Sequence, residues 1–487
     1  MTERDFDKLL EQSVPELPPN DVAQEVTPWR SAMGYVIAGC CLTTVSLDFW
    51  SLSIFLPLIG VVCMLLGFRA LRRENGWFGA CFLLSILSAV PSFTSFVLEP
   101  TIYSLESLLP TDVLRPLVYA RTALGLALFF CLWRGLLAVQ KKAGVEPHAG
   151  SAAALCVWYL IITALGLLGV THTEWFFALV LIGCYVLILK CLSSLSDEIE
   201  EGGYVLTPSP VRVSDGALVK RILAVLALAS LIGALFFSRY PMDWRTADES
   251  LSAEATEIRA ELLALGYPEA ALDDLTEADL LACRGAVRVV TQERASDGIA
   301  ELYLTDTAVE LTGEEEQWRI FHHFRWTEAV KFHGTECIQL RPAYNSGDWD
   351  ISGYKTADPI GRVLYTDEDG TTYAAPYAAI TEETYSASSF FWSGRTYNDL
   401  FAVFSFPARG TAQRGYLAYG FVPAEGKWTA DSWLYYVHQK SALQYPVQTA
   451  AEHRRSGAWH SGTFKTVSDN LLFYRLEDGS IMQWHAG

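Results

Sequence analysis

The sequence predicts an α-helical transmembrane bundle of about seven helices, followed by a small helical neck and an extracytoplasmic all-β domain, a sandwich or a barrel. Three observations carry that reading. Apolar runs of roughly 20 residues, enough to span a bilayer as a helix, recur through the first half of the chain. The last of them, Leu218–Phe237, carries Lys220 and Arg221 near its start and is closed by Arg239, Tyr240 and Pro241. From Ala286 onward the apolar period changes to two, with Gly, Asp and Asn turns between short runs, the pattern of half-buried strands.

Residues 1–30 are polar and of mixed charge, with prolines at 15, 18, 19 and 28. They read as a disordered cytoplasmic arm. The arm is too long and too acidic for a secretory signal peptide. The bundle then occupies 31–238. Its apolar runs cover about 32–47, 52–68, 77–97, 117–139, 152–171, 175–192 and 218–237.

Basic residues set the orientation, because cytoplasmic loops retain Lys and Arg. Arg69, Arg72 and Arg73 lie between the second and third runs, Lys141 and Lys142 between the fourth and fifth, and Arg212, Lys220 and Arg221 before the seventh. The alternate loops are poor in them. With seven crossings the arm is cytoplasmic and everything after residue 239 lies outside a plasma membrane. Few ionisable residues fall deep within the runs; Arg121 and Arg134 sit near the ends of theirs, where arginine can snorkel to the interface. This argues against a proton-coupled transporter.

The neck spans 239–285. Thr246-x-x-Glu249 and Thr276-x-x-Asp279 have the form of capping boxes. Leu251, Ala255, Ile258, Leu262 and Leu265 share one helical face, which Gly266 ends. That face is also suited to pairing with a second copy of the chain, a homo-oligomer.

The β domain spans 286–487. Asp369-Gly370 predicts a hairpin joining 361–366 to 371–377, and Asp478-Gly479 one joining 471–476 to 481–484. Phe401–Phe406 and Gly415–Phe421 are expected to pair across Arg409-Gly410. About ten strands are expected, enough for a sandwich with a real core.

Acidity is concentrated here. Residues 1–238 hold 15 Lys and Arg against 19 Asp and Glu, and residues 239–487 hold 21 against 36. A surface of this sign repels nucleic acid and anionic lipid. Eight of the ten cysteines lie in or beside apolar runs; Cys283 and Cys337 are the two in the second half, and they offer a disulfide if the compartment is oxidising.

The region around 344–397 is rich in aromatics, the side chains on which sugars stack. Tyr344, Trp349, Tyr354, Trp392 and Tyr397 are the candidates for ligand contact; aromatics are equally the usual filling of β cores. His322 and His323 alternate along a strand and so point to opposite faces, which argues against a shared metal. The oxygen-rich turns at Asn345–Asp350 and Asp367–Gly370 lack the spaced Glu of a calcium loop. No zinc-protease, phosphate-loop, nucleophile-elbow or dinucleotide motif is present, and no catalytic residue or cofactor is assigned.

Pro28-Trp29 through Gly67-Phe68-Arg69-Ala70-Leu71-Arg72-Arg73-Glu74-Asn75, with Leu265-Gly266-Tyr267-Pro268 and Asp274-Leu275-Thr276, resembles uncharacterised multi-pass membrane proteins of Gram-positive anaerobic bacteria. The resemblance implies a bacterial plasma membrane and no activity. The expectation is therefore a membrane protein whose β domain binds or senses an envelope ligand, a glycan, peptide or protein, and couples it to the bundle. A membrane-anchored cell-wall enzyme and a transport or channel component are the alternatives.

Overall fold

The computed structural model describes residues 29–44, 52–103, 108–167, 175–206, 211–247, 250–296, 298–313, 315–345, 353–389, 392–442, 444–445, 447–457 and 462–484. The chain divides into two units, 1–234 and 235–487.

In the first unit, seven helices of 16 residues or more occur among the described residues: α1 (Trp29–Thr44), α2 (Leu52–Leu71), α3 (Gly76–Leu98), α4 (Thr111–Ala143), α5 (Gly150–Leu167), α6 (Trp175–Glu201) and α7 (Asp215–Phe236). Each predicted run overlaps one of these helices; residues 45–47 of the first run and 168–171 of the fifth lie outside the described residues. Five helices, α2, α3, α4, α6 and α7, are long and apolar enough to cross a membrane. The apolar part of α5, Gly150–Leu165, is shorter.

Packing explains why these sequences pair. A Cβ placed on Gly39 of α1 would lie 2.8 Å from the carbonyl oxygen of Gly60 in α2, and one on Gly60 would lie 2.9 Å from that of Gly39. The two backbones touch where neither carries a side chain, the contact small residues provide between apolar helices. Asn75 caps α3, its side chain accepting from the Phe78 N–H at 2.9 Å and donating to the Gly135 carbonyl at 3.1 Å.

One end of the helices collects the charges. Trp29 Nε1 donates to the Ser196 carbonyl, and Arg30 lies 3.4 Å from Asp197. Arg69, nearly buried, pairs with Asp215 at 2.6 Å and donates to the Val213 carbonyl. Lys142 and the Tyr204 hydroxyl share Glu74, and His148 pairs with Glu198. The starts of α1, α3, α5 and α7 therefore meet the ends of α2, α4 and α6.

The second unit is a sandwich of two antiparallel sheets. Its strands are β1 (Arg245–Thr246), β2 (Ala286–Ala295), β3 (Leu302–Leu311), β4 (Gln317–Trp326), β5 (Glu336–Arg341), β6 (Gly353–Thr366), β7 (Thr372–Pro376), β8 (Ala379–Ser389), β9 (Trp392–Phe404), β10 (Thr411–Pro423), β11 (Trp428–Gln439), β12 (Phe464–Arg475) and β13 (Ile481–Trp484). The first sheet runs β1-β7-β6-β10-β4-β3-β2 and the second β13-β12-β11-β5-β9-β8. Alternate residues of both sheets, among them Leu304, Ile320, Phe324, Leu340, Leu434 and Tyr436, fill the space between them.

The β6–β7 and β12–β13 hairpins form as predicted, with Leu364 opposite Ala374 and Leu472 opposite Trp484. The predicted pairing of 401–406 with 415–421 does not form. β9 lies in the second sheet beside β5 and β8, whereas β10 lies in the first between β4 and β6. The turn at Arg409-Gly410 carries the chain from one sheet to the other. Two apolar runs joined by a short turn look alike in sequence whether they pair edge to edge or face each other.

The helical stretch forms a layer on the first sheet. It comprises α8 (Ala253–Ala264), α9 (Glu269–Leu272) and α10 (Glu277–Leu281). Ala255, Ile258, Leu262, Tyr267, Leu272 and Leu280 pack on Val309, Phe321, Tyr416 and Ala418 from the sheet's outer side. The Thr276–Asp279 capping box is present. The other predicted box is replaced: Thr246 belongs to β1, and Ser252 caps α8 by accepting from the Ala255 N–H at 3.2 Å. A last helix, α11 (Ala450–Arg455), covers part of the second sheet's outer face, over Cys337, Phe401, Val403 and Val437. Cys283 and Cys337 are both buried, free thiols in different apolar clusters, so the offered disulfide is absent. Burial pushes each thiol up to about 12.

Candidate functional site

Alternation decides what each sheet shows outward. On β11 the even-numbered residues, Ala430, Ser432, Leu434 and Tyr436, face inward. Trp433 and Tyr435 therefore face outward. Register places Arg341 beside Trp433 and Gln339 beside Tyr435 on β5, with Phe401 next to Gln339 on β9. The lower part of this face is under α11, whose Arg454 guanidinium lies 4.0 Å from the Tyr435 ring centroid and whose Arg455 lies 4.7 Å from that of Phe401. Among the described residues no helix lies over the upper part.

There the side chains form a stepped aromatic and polar surface. Trp433 and Tyr435 lie nearly parallel, 13° apart with centroids 6.1 Å apart. Arg341 sits 4.7 Å over the Tyr397 ring and 3.5 Å from Asp399. Gln339 donates to the same carboxylate, while its own amide oxygen is buried with no hydrogen-bond partner. Trp433 Nε1 is held by Asp431 at 2.9 Å, and Asp431 in turn accepts from Asn470. Trp433, Tyr397 and Arg341 are half-buried, so their rings are fixed in place yet reachable. Fixed aromatic rings flanked by amide, carboxylate and guanidinium groups are suited to the apolar faces and hydroxyls of a sugar ring.

Of the predicted contact residues, only Tyr397 is described on this surface. Tyr344 turns inward, packing edge-on against Tyr419 at 5.6 Å, with its hydroxyl 3.5 Å from Glu382. Tyr354 is exposed on β6 of the other sheet and donates to Glu315. Trp392 opens β9, but its side chain lies outside the described part of the structure, and Trp349 lies outside the described residues. Trp433, Tyr435 and Arg341 were not singled out from sequence. Their signal was the Trp-x-Tyr alternation at 433–435, which puts both rings on one face of a strand.

A second constellation lies inside the sandwich. Asp306 on β3 and His322 on β4 are 2.6 Å apart at Nδ1, His322 Nε2 lies 2.7 Å from Ser432 Oγ on β11, and that hydroxyl lies 2.6 Å from Tyr419 Oη. Tyr419 accepts from the Ala343 N–H at 2.8 Å. Every bond is satisfied in one direction with the imidazole proton on Nδ1. Acid, histidine and serine occur in the order used by serine hydrolases. All three are fully buried, however, and Tyr419 occupies the serine hydroxyl, so no acyl group has room to reach it. The relay bonds one sheet to the other.

Beside it, Asp469 on β12 pairs with Arg294 at 2.8 Å and accepts from Gln292 at 3.2 Å. One oxygen of Asp469 and one of Asp306 are buried with no hydrogen-bond partner. Burial, reinforced by the neighbouring Asp306 carboxylate, pushes Asp469 up to about 7 against the opposing pull of Arg294.

His323 faces the other way, as alternation requires. It bonds Asp274, at the start of the loop into α10, at 2.8 Å, and Arg414 reaches the other oxygen of that carboxylate at 2.7 Å. Arg362 donates to the Asp274 and Leu275 carbonyls. Burial alone would raise the Asp274 carboxyl, but His323 and Arg414 together hold it below its ordinary value.

Among the described residues no group of three His, Cys, Asp or Glu is placed to hold a metal ion. The turn at Asp367 is an ordinary one: its carboxylate accepts from the N–H groups of Asp369 and Thr371. No protein-family model matches this chain, and no curated protein matches it.

Proposed function

We propose that the protein is a bacterial plasma-membrane protein whose β unit lies outside the cell and binds an envelope glycan on the open part of the second sheet's outer face, passing occupancy to the helical bundle. The half-buried Trp433 ring beside the Arg341–Tyr397 stack is the observation that carries this reading. The Trp433 and Tyr397 rings give a sugar its apolar contact, and Arg341 supplies hydrogen bonds at the rim. The orientation rests on the basic residues Arg30, Arg69 and Lys142 at the common end of the helices, since such residues stay on the cytoplasmic side. α7 starts at that end and leads away from it.

Titration of the detergent-solubilised full chain with soluble cell-wall glycan fragments tests the binding. Trp433→Ala is expected to weaken binding at least about tenfold, as truncating a central aromatic anchor does, while the melting temperature stays near that of the parent. Equal affinity of parent and variant for every fragment overturns the assignment. Digestion of the β unit by protease added to intact cells tests the topology; protection in intact cells with cleavage after lysis overturns it.

A further inference from the structure

We infer that one end of the sandwich holds a separate site for a small zwitterion, a free α-amino acid or a dipeptide. An open cleft of about 490 Å3 lies there, between the strand ends of the two sheets. That volume is within the range of small-molecule pockets, roughly 300–1,000 Å3. None of its lining residues belongs to the aromatic face described above.

The charges in this cleft are sorted by sheet. His438, Lys440 and Lys465 come from β11, the turn after it and β12. Glu301 precedes β3 and Glu328 follows β4, both on the first sheet's side. No described carboxylate lies within ion-pair distance of either lysine, and no described cation pairs with either glutamate. Elsewhere in this unit charged groups with neighbours of opposite sign have found them: Lys427 with Glu477, Lys355 with Glu382, Arg455 with Glu383. Here two ammonium groups and two carboxylates border one cavity without meeting. A simple anion would face the glutamates, and a simple cation the lysines. A molecule carrying both charges, one at each end, satisfies both walls.

His438 is set for the same task. Its Nδ1 lies 3.0 Å from both oxygens of the fully buried Glu336. Glu336 also accepts from the Gln439 N–H, at 3.2 Å. The ring is lodged against Trp326 and Phe332, with centroids 4.9 and 5.5 Å away. With Nδ1–H donating to Glu336 and the ring fixed, Nε2 is the atom left for a ligand, and it offers an acceptor to the ligand's ammonium. Trp326 gives its N–H to Tyr436 and, with Ile299 and Val330, leaves an apolar wall. That wall would take the side chain of the amino acid, so the site should prefer apolar over charged side chains.

The test is calorimetric titration of the detergent-solubilised full chain. The probes are leucine, alanine, glutamate and lysine, the dipeptide Ala-Leu, a Leu-terminated pentapeptide, and two leucine derivatives: N-acetyl-leucine, without the ammonium, and leucinamide, without the carboxylate. Saturable binding of leucine or of Ala-Leu is expected, with each derivative at least about tenfold weaker, since each leaves one wall unpaired. Binding of free leucine assigns the site to amino acids; binding of Ala-Leu alone assigns it to dipeptides; binding of the pentapeptide alone, whose end carries one charge, overturns the inference. The Lys440→Ala/Lys465→Ala and Glu301→Gln/Glu328→Gln variants should each lose at least about tenfold in affinity while keeping the parent's melting temperature, because all four side chains are at the surface. Trp433→Ala should bind as the parent does, which separates this site from the glycan face. Equal binding of leucine and its two derivatives, or no heat from any probe at millimolar concentration, overturns the inference.

Discussion

The two sheets of the sandwich carry the same alternation, yet their outer faces have different fates. On the first sheet Phe321, Tyr416 and Ala418 meet α8, α9 and α10, and the polar residues among them are tied off: His323 and Arg414 to Asp274, Tyr416 to Asp279. On the second sheet α11 covers only the rows through Cys337 and Val437. Above it, Trp433, Arg341 and Tyr397 have aromatic and polar neighbours but, among the described residues, no helix. A covered polar residue that has its partner is part of the architecture. A fixed aromatic residue that is left half in solvent is available to something else.

Breaking the covered face should have the largest effect. Asp274→Ala strands His323 and Arg414 in a buried position, and losing one partner of such a pair costs about 3–5 kcal/mol; denaturant unfolding of the full chain, followed by the fluorescence of its tryptophans, reads the loss. The same carboxylate gives an acid dependence. Its folded value is depressed, so its contribution is present above the ordinary carboxyl value of 3.8 and is lost as pH falls through the lower folded value. Phe321→Ala should cost a similar 3–5 kcal/mol, as large-to-small core changes do, whereas its counterpart on the open face, Trp433→Ala, should cost no more than about 1 kcal/mol. Equal losses for the two would erase the distinction between the faces.

Asp469 sharpens the comparison from inside. Its folded value is raised, to about 7 from 3.8. The stabilisation linked to its proton is therefore complete below about 4 and lost as pH rises through 7, the opposite sign to Asp274. Melting temperature should fall between pH 5 and pH 8, and Asp469→Asn should flatten that slope. An unchanged slope in the variant would show that Asp469 does not hold the proton. The smallest effect is expected at Glu477→Gln, which removes a surface pair with Lys427; its melting curve should overlay the parent's.

Much of this was legible from residue order. The apolar runs are helical where they are described, because a long run has few other ways to satisfy its backbone. The hairpins at Asp369-Gly370 and Asp478-Gly479 formed because those pairs accept the positive φ that the tight turns need, +84° at Gly370 and +79° at Gly479. His322 and His323 faced apart because a strand's period is two. Sheet membership was not legible: the Arg409-Gly410 turn would serve a hairpin or a crossing equally well. The contact residues suffered from the same gap. Tyr344 and Tyr354 fall in the same aromatic-rich stretch as Tyr397 but on other faces in space, while Trp433 and Tyr435 fall outside that stretch and on its face. Composition locates aromatic density, but only strand order says which rings share a surface.

The relay through Asp306, His322, Ser432 and Tyr419 bears on how this protein can change over evolutionary time. Replacing His322 alone would leave the buried Asp306 carboxylate without its partner and Ser432 with Tyr419 alone, a step of several kcal/mol in the wrong direction. Replacing Asp306, His322 and Ser432 together by apolar residues of like volume would cost little. Drift at these positions should therefore be concerted. A homologue that has lost the histidine should have lost the aspartate with it, and one that keeps the aspartate should keep all three.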